Sequence, residues 1–232
     1  MKLSVIIPTY NEESTIEKTL DAISRLVNID EIIIVDGGST DQTHAIIESF
    51  KITKSLQLIK TDFANLGKQL HEGTAHATGE IFWFIHADTR PVQGSGRQIK
   101  AYMKYKEVVG GHFDIRFSTE SRWARFLNWY YNYLKNAGLV YGDSAIFVRR
   151  ETYQEVGGFK PLPIFADVKL CKKLMKKGRF VLIPMAVTVS SRRFKENGFA
   201  KGILSWAVLQ GLHRLGVPST FLTKYHTPQK HQ

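Results

Sequence analysis

The stretch GEIFWFIHADT, residues 79–89, joins an apolar segment to a group of reactive side chains. Residues 81–85 form an unbroken apolar run, with Gly79 before it and Arg90-Pro91 soon after it. This pattern is typical of a short strand covered on both faces, as in the middle of a parallel sheet. An imidazole, a carboxylate and a hydroxyl follow the run, at His86, Asp88 and Thr89. Because ligands of open α/β sheets bind outside the carboxyl ends of the strands, we expect a functional site here.

The carboxylate of Asp88 has two interpretations. At a strand end it can hold a hard divalent cation, which in turn can hold phosphate oxygens. The alternative is that Asp88 and Thr89 only cap the next helix or make a turn before Pro91. The segments around this stretch favour the first interpretation.

Strands and helices alternate over the first ninety residues. Apolar strands are predicted at 3–7, 31–35, 56–59 and 81–85, with helices at 11–25, 40–50 and 66–77 between them. Such alternation indicates βαβ units and a Rossmann-like, mostly parallel central sheet flanked by helices. The sequence therefore predicts an α/β fold whose first half, residues 1–90, is a nucleotide-binding half-sheet.

The pattern changes after Pro91. We interpret residues 108–117 as part of a small antiparallel portion, with further strands at 145–148, 181–184 and 186–189. Helices are predicted at 121–136, at 167–177 with a lysine-rich outer face, and at 199–215, which is apolar nearly all round. Since no repeat, low-complexity segment or linker divides the chain, we predict one domain over residues 1–232.

Composition narrows the class of partner. The formal net charge of +11 implies attraction to anions, whether nucleotides, nucleic acid, acidic glycans or an anionic membrane face. The single cysteine, Cys171, excludes an intramolecular disulfide and a zinc site with several thiolates. There is no signal-peptide core and no apolar run long enough to span a bilayer, so a cytoplasmic protein is expected.

A second carboxylate, Asp36, ends the second predicted strand and is followed by Gly37-Gly38. It can accept hydrogen bonds from a base or a ribose, while the glycines let the backbone approach a ligand closely. Neither a GxGxxG dinucleotide motif nor a GxxxxGK[ST] phosphate loop is present. The alternative is an ordinary strand-to-helix turn in which Asp41 caps the helix.

Three motifs together resemble the signature of glycosyltransferase family 2 on the GT-A fold. They are SVIIPTYNE (4–12), VDGGSTD (35–41), and ATGE (77–80) leading to HADT (86–89). Further on, YGDSAIFVRR (141–150), GGF (157–159) and SSRRF (190–194) resemble a small, soluble bacterial branch of that family. The resemblance implies an acceptor half and a C-terminal helix within residues 91–232.

The resemblance also implies a nucleoside diphosphate sugar donor lying across the strand ends. Asp36 would read the base edge. The other donor-binding residues would be Pro8, Thr9, Tyr10, Glu12, Lys68, Ala87, Arg192 and Arg193. The Arg192-Arg193 pair suits a diphosphate because a guanidinium binds two oxygens at a time, although a solvated basic turn is the alternative. Lys68 lies in a segment where related sequences carry an arginine and an asparagine, so the residues here depart from the family pattern at the predicted ribose and phosphate contacts.

The metal and the base are implied in the same way. Asp88 matches the last aspartate of the family's DxD motif and would hold Mn²⁺ or Mg²⁺ against the diphosphate. His86 stands at the first position of that motif, and imidazole suits Mn²⁺ better than Mg²⁺; we treat it as a wall of the site and a second candidate ligand. Asp167 would be the general base of an inverting transfer, with Ala166 in place of the family's glutamate. Its alternative role is a helix N-cap, whose dipole would lower its pKa.

Several alternatives stay open. The aromatic segment 123–133 and the basic and apolar helices after it are most often core and solvated surface, but they could also meet a lipid-linked hydroxyl acceptor at the inner face of the membrane. Rival functions are a sugar-phosphate nucleotidyltransferase, a basic nucleic-acid-binding protein, and a transferase-like protein that binds a nucleotide sugar without turnover. We expect no nucleic-acid partner, because carboxylates at the strand ends would repel phosphates unless a metal lies between them.

Overall fold

The central sheet runs through both halves of the chain. The computed structural model describes residues 1–118, 122–136, 140–162, 164–192 and 199–222. Within these ranges the strands are β1 (Leu3–Thr9), β2 (Glu31–Asp36), β3 (Ser55–Lys60), β4 (Ile81–Phe84), β5 (Thr89–Arg90), β6 (Val108–Phe117), β7 (Phe147–Arg149) and β8 (Arg179–Val189). They form one sheet in the order β3-β2-β1-β4-β7-β6-β8-β5.

Helices lie on the sheet and between its strands. They are α1 (Ile16–Ser24), α2 (Thr43–Ser49), α3 (Leu66–His76), α4 (Ser95–Tyr102), α5 (Arg122–Asn136), α6 (Arg150–Glu155), α7 (Ala166–Leu174), α8 (Phe199–Arg214) and α9 (Ser219–Leu222), with a 3₁₀ turn at Gly142–Ser144. None of the helices in the described ranges is both long enough and apolar enough to cross a membrane.

The parallel half matches the sequence prediction. Strands β3, β2, β1 and β4 are mutually parallel neighbours, and every residue of β1 and β4 is buried. Both faces of β4 are covered: Trp83 packs on Phe113 on one side, while Phe82 and Phe84 contact Tyr153 on the other. This two-sided burial is why the apolar run 81–85 shows no alternation.

The antiparallel portion is confirmed but is paired differently from the expectation. Strand β7 runs antiparallel to β4 and β6, whereas β6 and β8 are parallel to each other. The strands predicted at 181–184 and 186–189 are one strand, β8. Its register against β6 shifts between Ile183 and Ala186, because Pro184 has no N–H to donate to the ladder.

The first helix begins later than predicted. It starts at Ile16 rather than near Asn11, whose φ of 52° lies in the left-handed region. The backbone N–H of Glu12 donates to the hydroxyl of Thr43, 2.8 Å away. This contact holds residues 11–12 in a turn against the start of α2, so they are not available for a helix.

Candidate active site

Three neighbouring parallel strands bring the predicted donor-binding residues to one edge of the sheet. Strand β1 lies between β2 and β4, and Thr9 at its end is in register with Asp36 at the end of β2. The segment 86–89 follows β4 at the same edge. Tyr10 is partly exposed there, whereas Thr9 and Asp36 are buried. The topology therefore brings Thr9, Asp36 and Asp88 to one edge, although they are 27 to 79 positions apart in sequence.

Asp36 is the centre of a hydrogen-bond network that shapes the loop after β2. Its Oδ1 accepts from the hydroxyls of Thr9 (2.8 Å) and Ser39 (2.6 Å). Its Oδ2 accepts from the backbone N–H groups of Gly38 (2.9 Å) and Ser39 (2.8 Å), and Nε2 of His44 lies 2.6 Å from the same oxygen.

This network explains the ionisation of Asp36. Burial acts to raise its pKa, but the hydrogen bonds from Ser39, Thr9 and His44 outweigh burial and hold the pKa below its ordinary value. Both carboxylate oxygens are engaged by the protein, so Asp36 shapes the loop in this structure. Its predicted contact with a base edge stays a prediction. His44 was not singled out by sequence, since nothing local marks a histidine eight residues after an aspartate as its partner.

A largely buried ion pair lies at the loop after β1. Arg192 Nη2 lies 2.8 Å from Oε2 of Glu12, and both side chains are largely buried. Arg192 also contacts Ser14. The structure thus brings Arg192 to the loop after β1, next to residues predicted to line the nucleoside pocket. Arg192 and Glu12 are 180 positions apart in sequence. Arg193 lies outside the described residues.

Helix α3 contributes both structural and exposed side chains. Gln69 is buried and donates to the backbone carbonyls of Thr9 (2.8 Å) and Val35 (2.9 Å), which fixes the ends of β1 and β2 together. His71 Nδ1 lies 3.1 Å from the hydroxyl of Tyr153. Lys68 is exposed, with its ammonium 5.3 Å from the centre of the Phe63 ring. Lys68 and His71 are exposed, and Lys68 is the one that the sequence predicts to bind the donor.

A second group of residues surrounds the start of α7. His86 Nδ1 lies 3.0 Å from Oδ1 of Asp143, in the 3₁₀ turn. The backbone N–H of Gly142 donates to Oδ2 of Asp167, and the N–H of Val168 donates to Oδ1 at 2.8 Å. The 3₁₀ turn therefore contacts both His86 and Asp167. Asp143 had no role assigned by sequence, although the motif YGDSAIFVRR contains it.

Asp167 is not the N-cap of α7. The cap position belongs to Phe165, with a φ of 59°, and Asp167 lies one residue inside the helix, buried. Burial raises the pKa of Asp167 above its ordinary value, against hydrogen bonds from Gly142 and Val168 that act to lower it. The lowered pKa expected for a capping residue is therefore wrong, and a raised pKa makes a carboxylate a better general base.

The imidazole of His86 is surrounded by carboxylates. Burial acts to lower its pKa, but Asp143, Asp88 and Asp167 together raise it above the ordinary value. The hydroxyl of Tyr131 lies 3.5 Å from the second oxygen of Asp143. Burial raises the pKa of Tyr131 well above its usual range, so this hydroxyl stays protonated and can donate.

Gly142 allows His86 and Asp167 to approach each other. A Cβ atom at this position would lie 2.6 Å from Nε2 of His86 and 3.3 Å from Oδ2 of Asp167. The first distance is shorter than any ordinary van der Waals contact. Only glycine leaves this space, so the small residue is required by the close packing of the two reactive side chains.

The residues present can take part in a metal site but do not form one alone. In the described ranges, no cluster of three or more His, Cys, Asp or Glu side chains is arranged to hold an ion. Asp88 is buried at the strand end, and Nδ1 of His86 is already engaged by Asp143, which leaves Nε2 for a ligand. This donor set fits a cation held by one or two side chains and by substrate phosphates, as is common for Mg²⁺.

A cavity of about 310 Å³ lies apart from these residues, between α1 and the Arg90-Pro91 turn. Its lining includes Lys18, Asp21 and Arg25 and none of the carboxylates at the strand ends. The candidate active site is thus the open edge of the sheet rather than this cavity.

Two solved structures share this architecture. The protein is similar to Staphylococcus aureus TarS in complex with UDP-GlcNAc, with a TM-score of 0.67, 17% identity, and coverage of 82% of this chain and 58% of that one. It is also similar to the mannosyltransferase PcManGT from Pyrobaculum calidifontis in complex with GDP-Man and Mn²⁺, with a TM-score of 0.64, 24% identity, and coverage of 81% and 56%. The sheet and its flanking helices therefore define the class as the GT-A fold.

Sequence comparison identifies the family. Residues 4–155 match the family described as "Glycosyl transferase family 2", and the chain belongs to this family. Glucosyl-3-phosphoglycerate synthase of Mycobacterium tuberculosis is 38% identical over 92 residues, covering 37% of this chain and 28% of the relative. Dolichol-phosphate mannosyltransferase of Pyrococcus furiosus is 24% identical over 230 residues, covering 93% and 64%. The chain spans less than two thirds of the length of each relative named here.

Proposed function

We propose that the protein is an inverting, metal-dependent glycosyltransferase that moves a sugar from a nucleoside diphosphate donor to a hydroxyl acceptor. The observation that carries this proposal is the buried carboxylate of Asp167, held beside His86 at the edge where β4 delivers Asp88. A base with a raised pKa and a strand-end carboxylate that can hold a metal are the groups that such a transfer needs.

The donor would lie across the ends of β1, β2 and β4. Two relatives of the same fold were solved with UDP-GlcNAc and with GDP-Man, which supports a nucleotide sugar here. We assign the nucleoside to the loop of Pro8, Thr9, Tyr10 and Glu12, and to Asp36. Lys68 and Arg192 would contact the diphosphate, because an ammonium and a guanidinium can each bind phosphate oxygens. Ala87, which follows β4 at the same edge, would also contact the donor.

The chemistry follows from the position of Asp167. Its two oxygens each accept one backbone hydrogen bond and keep a second lone pair. Asp167 would take the proton of the acceptor hydroxyl while that oxygen forms a bond to the anomeric carbon. The bond from this carbon to the diphosphate breaks on the opposite face, which inverts the configuration.

A divalent cation, when bound, would offset the negative charge that develops on the leaving diphosphate. Asp88 would hold it, with Nε2 of His86 as a second candidate ligand and the diphosphate oxygens completing its coordination. Mn²⁺ is the better match if His86 is a ligand. Ala166, where the family has a glutamate, is buried in a core cluster with Leu170 and Phe84, so this position supplies packing rather than charge.

Calorimetric titration tests the proposal. UDP, GDP and their sugars are titrated into the protein with and without Mn²⁺, and the same series is repeated on Asp88→Asn. We expect one nucleotide to bind, with an affinity that Mn²⁺ increases in the native protein and not in the variant. Asp21→Asn, at a half-exposed position on α1 away from the strand ends, is the matched control and should keep the response to Mn²⁺.

Two rival functions are separated by this titration together with a DNA-binding assay and a donor-turnover assay. A nucleic-acid-binding protein would bind no nucleoside diphosphate and would bind DNA with a steep salt dependence. A non-catalytic relative would bind the donor without transferring its sugar to water or to any hydroxyl compound offered, so no nucleoside diphosphate would be released.

A further inference from the structure

The positive charge of the protein is concentrated in its last quarter. Residues 168–232 contain thirteen Lys and Arg and a single acidic residue, Glu196. Residues 1–167 contain nineteen Lys and Arg and twenty Asp and Glu, so they are nearly neutral. The net charge of +11 is therefore a property of one part of the chain, not of the whole surface.

The same part of the fold exposes large apolar side chains. On α8 and just after it, the exposed residues Leu204, Val208, Gly211 and Leu215 recur at spacings of four, three and four, which places them on one side of the helix. On helix α5, Phe126 and Trp129 are exposed at a spacing of three. Phe221 on α9 is also half exposed.

A hydrogen bond joins α5 to α8. The hydroxyl of Tyr130 on α5 donates to Oε1 of Gln210 on α8, 2.8 Å away, and Phe126 stacks on Tyr130 with ring centres 6.2 Å apart. The inner sides of both helices are buried, through Leu127 on α5 and Leu209 on α8. Their exposed apolar side chains therefore lie on the side that faces away from the core.

Basic side chains border this apolar surface. Arg122 and Arg125 are exposed on α5, and Lys169 and Lys172 are exposed on α7. The ring of His213, near the end of α8, stacks on Phe165 with centres 4.3 Å apart, which joins α8 to the start of α7. Burial first, and then the charges of Lys169 and Lys172, lower the pKa of His213.

We propose that this surface, formed by α5, the outer side of α7, α8 and α9, docks on an anionic lipid bilayer. We name it the docking face. Exposed aromatic and aliphatic side chains bordered by lysine and arginine are the composition of a protein segment that lies in the headgroup region. A nucleic acid would match the charge but would gain nothing from Leu204, Val208 and Leu215. A second copy of this chain would bring the same positive charge against itself.

The docking face adjoins the candidate active site. Helix α7 carries Lys169 and Lys172 on its outer side and begins one residue before Asp167, and His213 packs on Phe165 next to it. On the proposed transferase function, on which this step alone rests, a bilayer bound here would present an acceptor hydroxyl carried by a lipid to Asp167. The acceptor would then be a lipid-linked hydroxyl compound rather than one free in solution.

Vesicle binding tests the docking face without any sugar donor. The purified protein is mixed with vesicles of phosphatidylcholine, or of phosphatidylcholine and phosphatidylglycerol in equal parts, and the bound fraction is measured by flotation. We expect binding to the anionic vesicles, weakened by high salt, and little binding to the neutral ones. Fluorescence of the four tryptophans should shift to shorter wavelength on binding, and Trp129→Phe should remove most of that shift.

Matched variants distinguish binding through the docking face from nonspecific binding through other exposed side chains. Leu204→Ser and Trp129→Ser each should reduce the partition coefficient about tenfold, whereas Val27→Ser should not; the exposed fractions are 67% for Leu204, 61% for Trp129 and 62% for Val27. Lys169→Gln with Lys172→Gln should reduce it about twenty-five-fold, at about fivefold for each lysine near an anionic surface. Lys104→Gln with Lys106→Gln, exposed elsewhere, is the control for charge.

Three outcomes would overturn the inference. The first is equal binding to neutral and anionic vesicles, and the second is an equal loss of vesicle binding in the test and control variants. The third is a dimer in sedimentation that Trp129→Ser dissociates, which would mean that a second copy of the chain covers the docking face. Failure of vesicle binding leaves nucleotide binding untouched, and failure of nucleotide binding leaves vesicle binding untouched, so the two proposals can be judged separately.

Discussion

Replacing Gly142 with alanine tests whether His86 and Asp167 must lie against each other. The added methyl carbon would stand 2.6 Å from Nε2 of His86 and 2.9 Å from its Cε1, about 1 Å short of van der Waals contact. Gly142 has no positive φ, so alanine is allowed by its backbone and the contact alone decides the effect. Either the imidazole or the 3₁₀ turn has to move by that amount.

The expected effect falls on turnover more than on folding. Inserting one methyl into a packed site costs about 1–3 kcal/mol of stability, whereas a displacement of about 1 Å in a reacting group lowers the rate about a hundredfold. Release of nucleoside diphosphate from the donor is measured by a coupled assay, and unfolding is measured in urea. We expect the free energy of unfolding to fall modestly, the turnover rate to fall about a hundredfold, and nucleotide affinity to stay within a few-fold of the native value.

Gly211→Ala provides the matched control. It lies in α8, and a Cβ atom there would meet nothing within 4 Å; alanine in a helix interior is more stable than glycine by about 0.8–1.0 kcal/mol. This variant should unfold at higher urea concentration and keep its turnover rate. If Gly142→Ala is folded and turns over the donor within twofold of the native rate, the close packing of His86 and Asp167 is irrelevant to catalysis and the site assignment is refuted.

Three further predictions concern the carboxylates. Asp167→Asn should lower turnover about 10²–10⁴-fold with nucleotide affinity unchanged. Because the pKa of Asp167 is raised, lowering the pH should protonate the base, and so slow the native enzyme, at a higher pH than for an ordinary carboxylate. Turnover rates measured across a range of pH check this point. The pKa of Asp36 is lowered, so its stabilising contribution is present above the unfolded-state pKa and lost as the pH falls through the folded-state pKa; urea unfolding across this acid range should show a flatter loss of stability in Asp36→Asn than in the native protein. Asp143→Asn keeps an oxygen that can accept from Nδ1 of His86, whereas Asp143→Ala does not; turnover should therefore fall much further in the alanine variant, and equal losses would show that the hydrogen bond does not position His86.

The sheet could be predicted because its signals are local. The run 81–85 is apolar at every position since both faces of β4 are covered, and the alternation of strands and helices up to residue 90 leaves few arrangements other than a parallel sheet. The start of α1 was misplaced because the turn at Asn11 depends on Thr43, a residue on another helix. The parallel pairing of β6 with β8 was missed for the same reason: it joins segments about seventy residues apart and leaves no period in either one.

The site was predictable by residue type but not by arrangement. The family motifs pointed to Asp88 and Asp167, yet their roles and the count of one domain stay predictions. The hydrogen bonds that engage Asp36, the ion pair of Arg192 with Glu12, and the contact of Asp143 with His86 all join distant positions. Each is set by the tertiary fold, so a pattern within one segment could not reveal it.

Charge balance gives a physical reason for a histidine at position 86, where the family motif has an aspartate. The carboxylates of Asp88, Asp143 and Asp167 all interact with the ring of His86. A fourth carboxylate at this position would lie about 3 Å from Asp143, and two carboxylates that close cannot both stay ionised. An imidazole can instead donate Nδ1–H to Asp143 and present Nε2 toward Gly142. His86 and Asp143 therefore act as one unit beside the proposed base, because the imidazole offsets the negative charge of Asp143 and Asp143 holds the ring in place. Changing either residue alone should disturb the position of both.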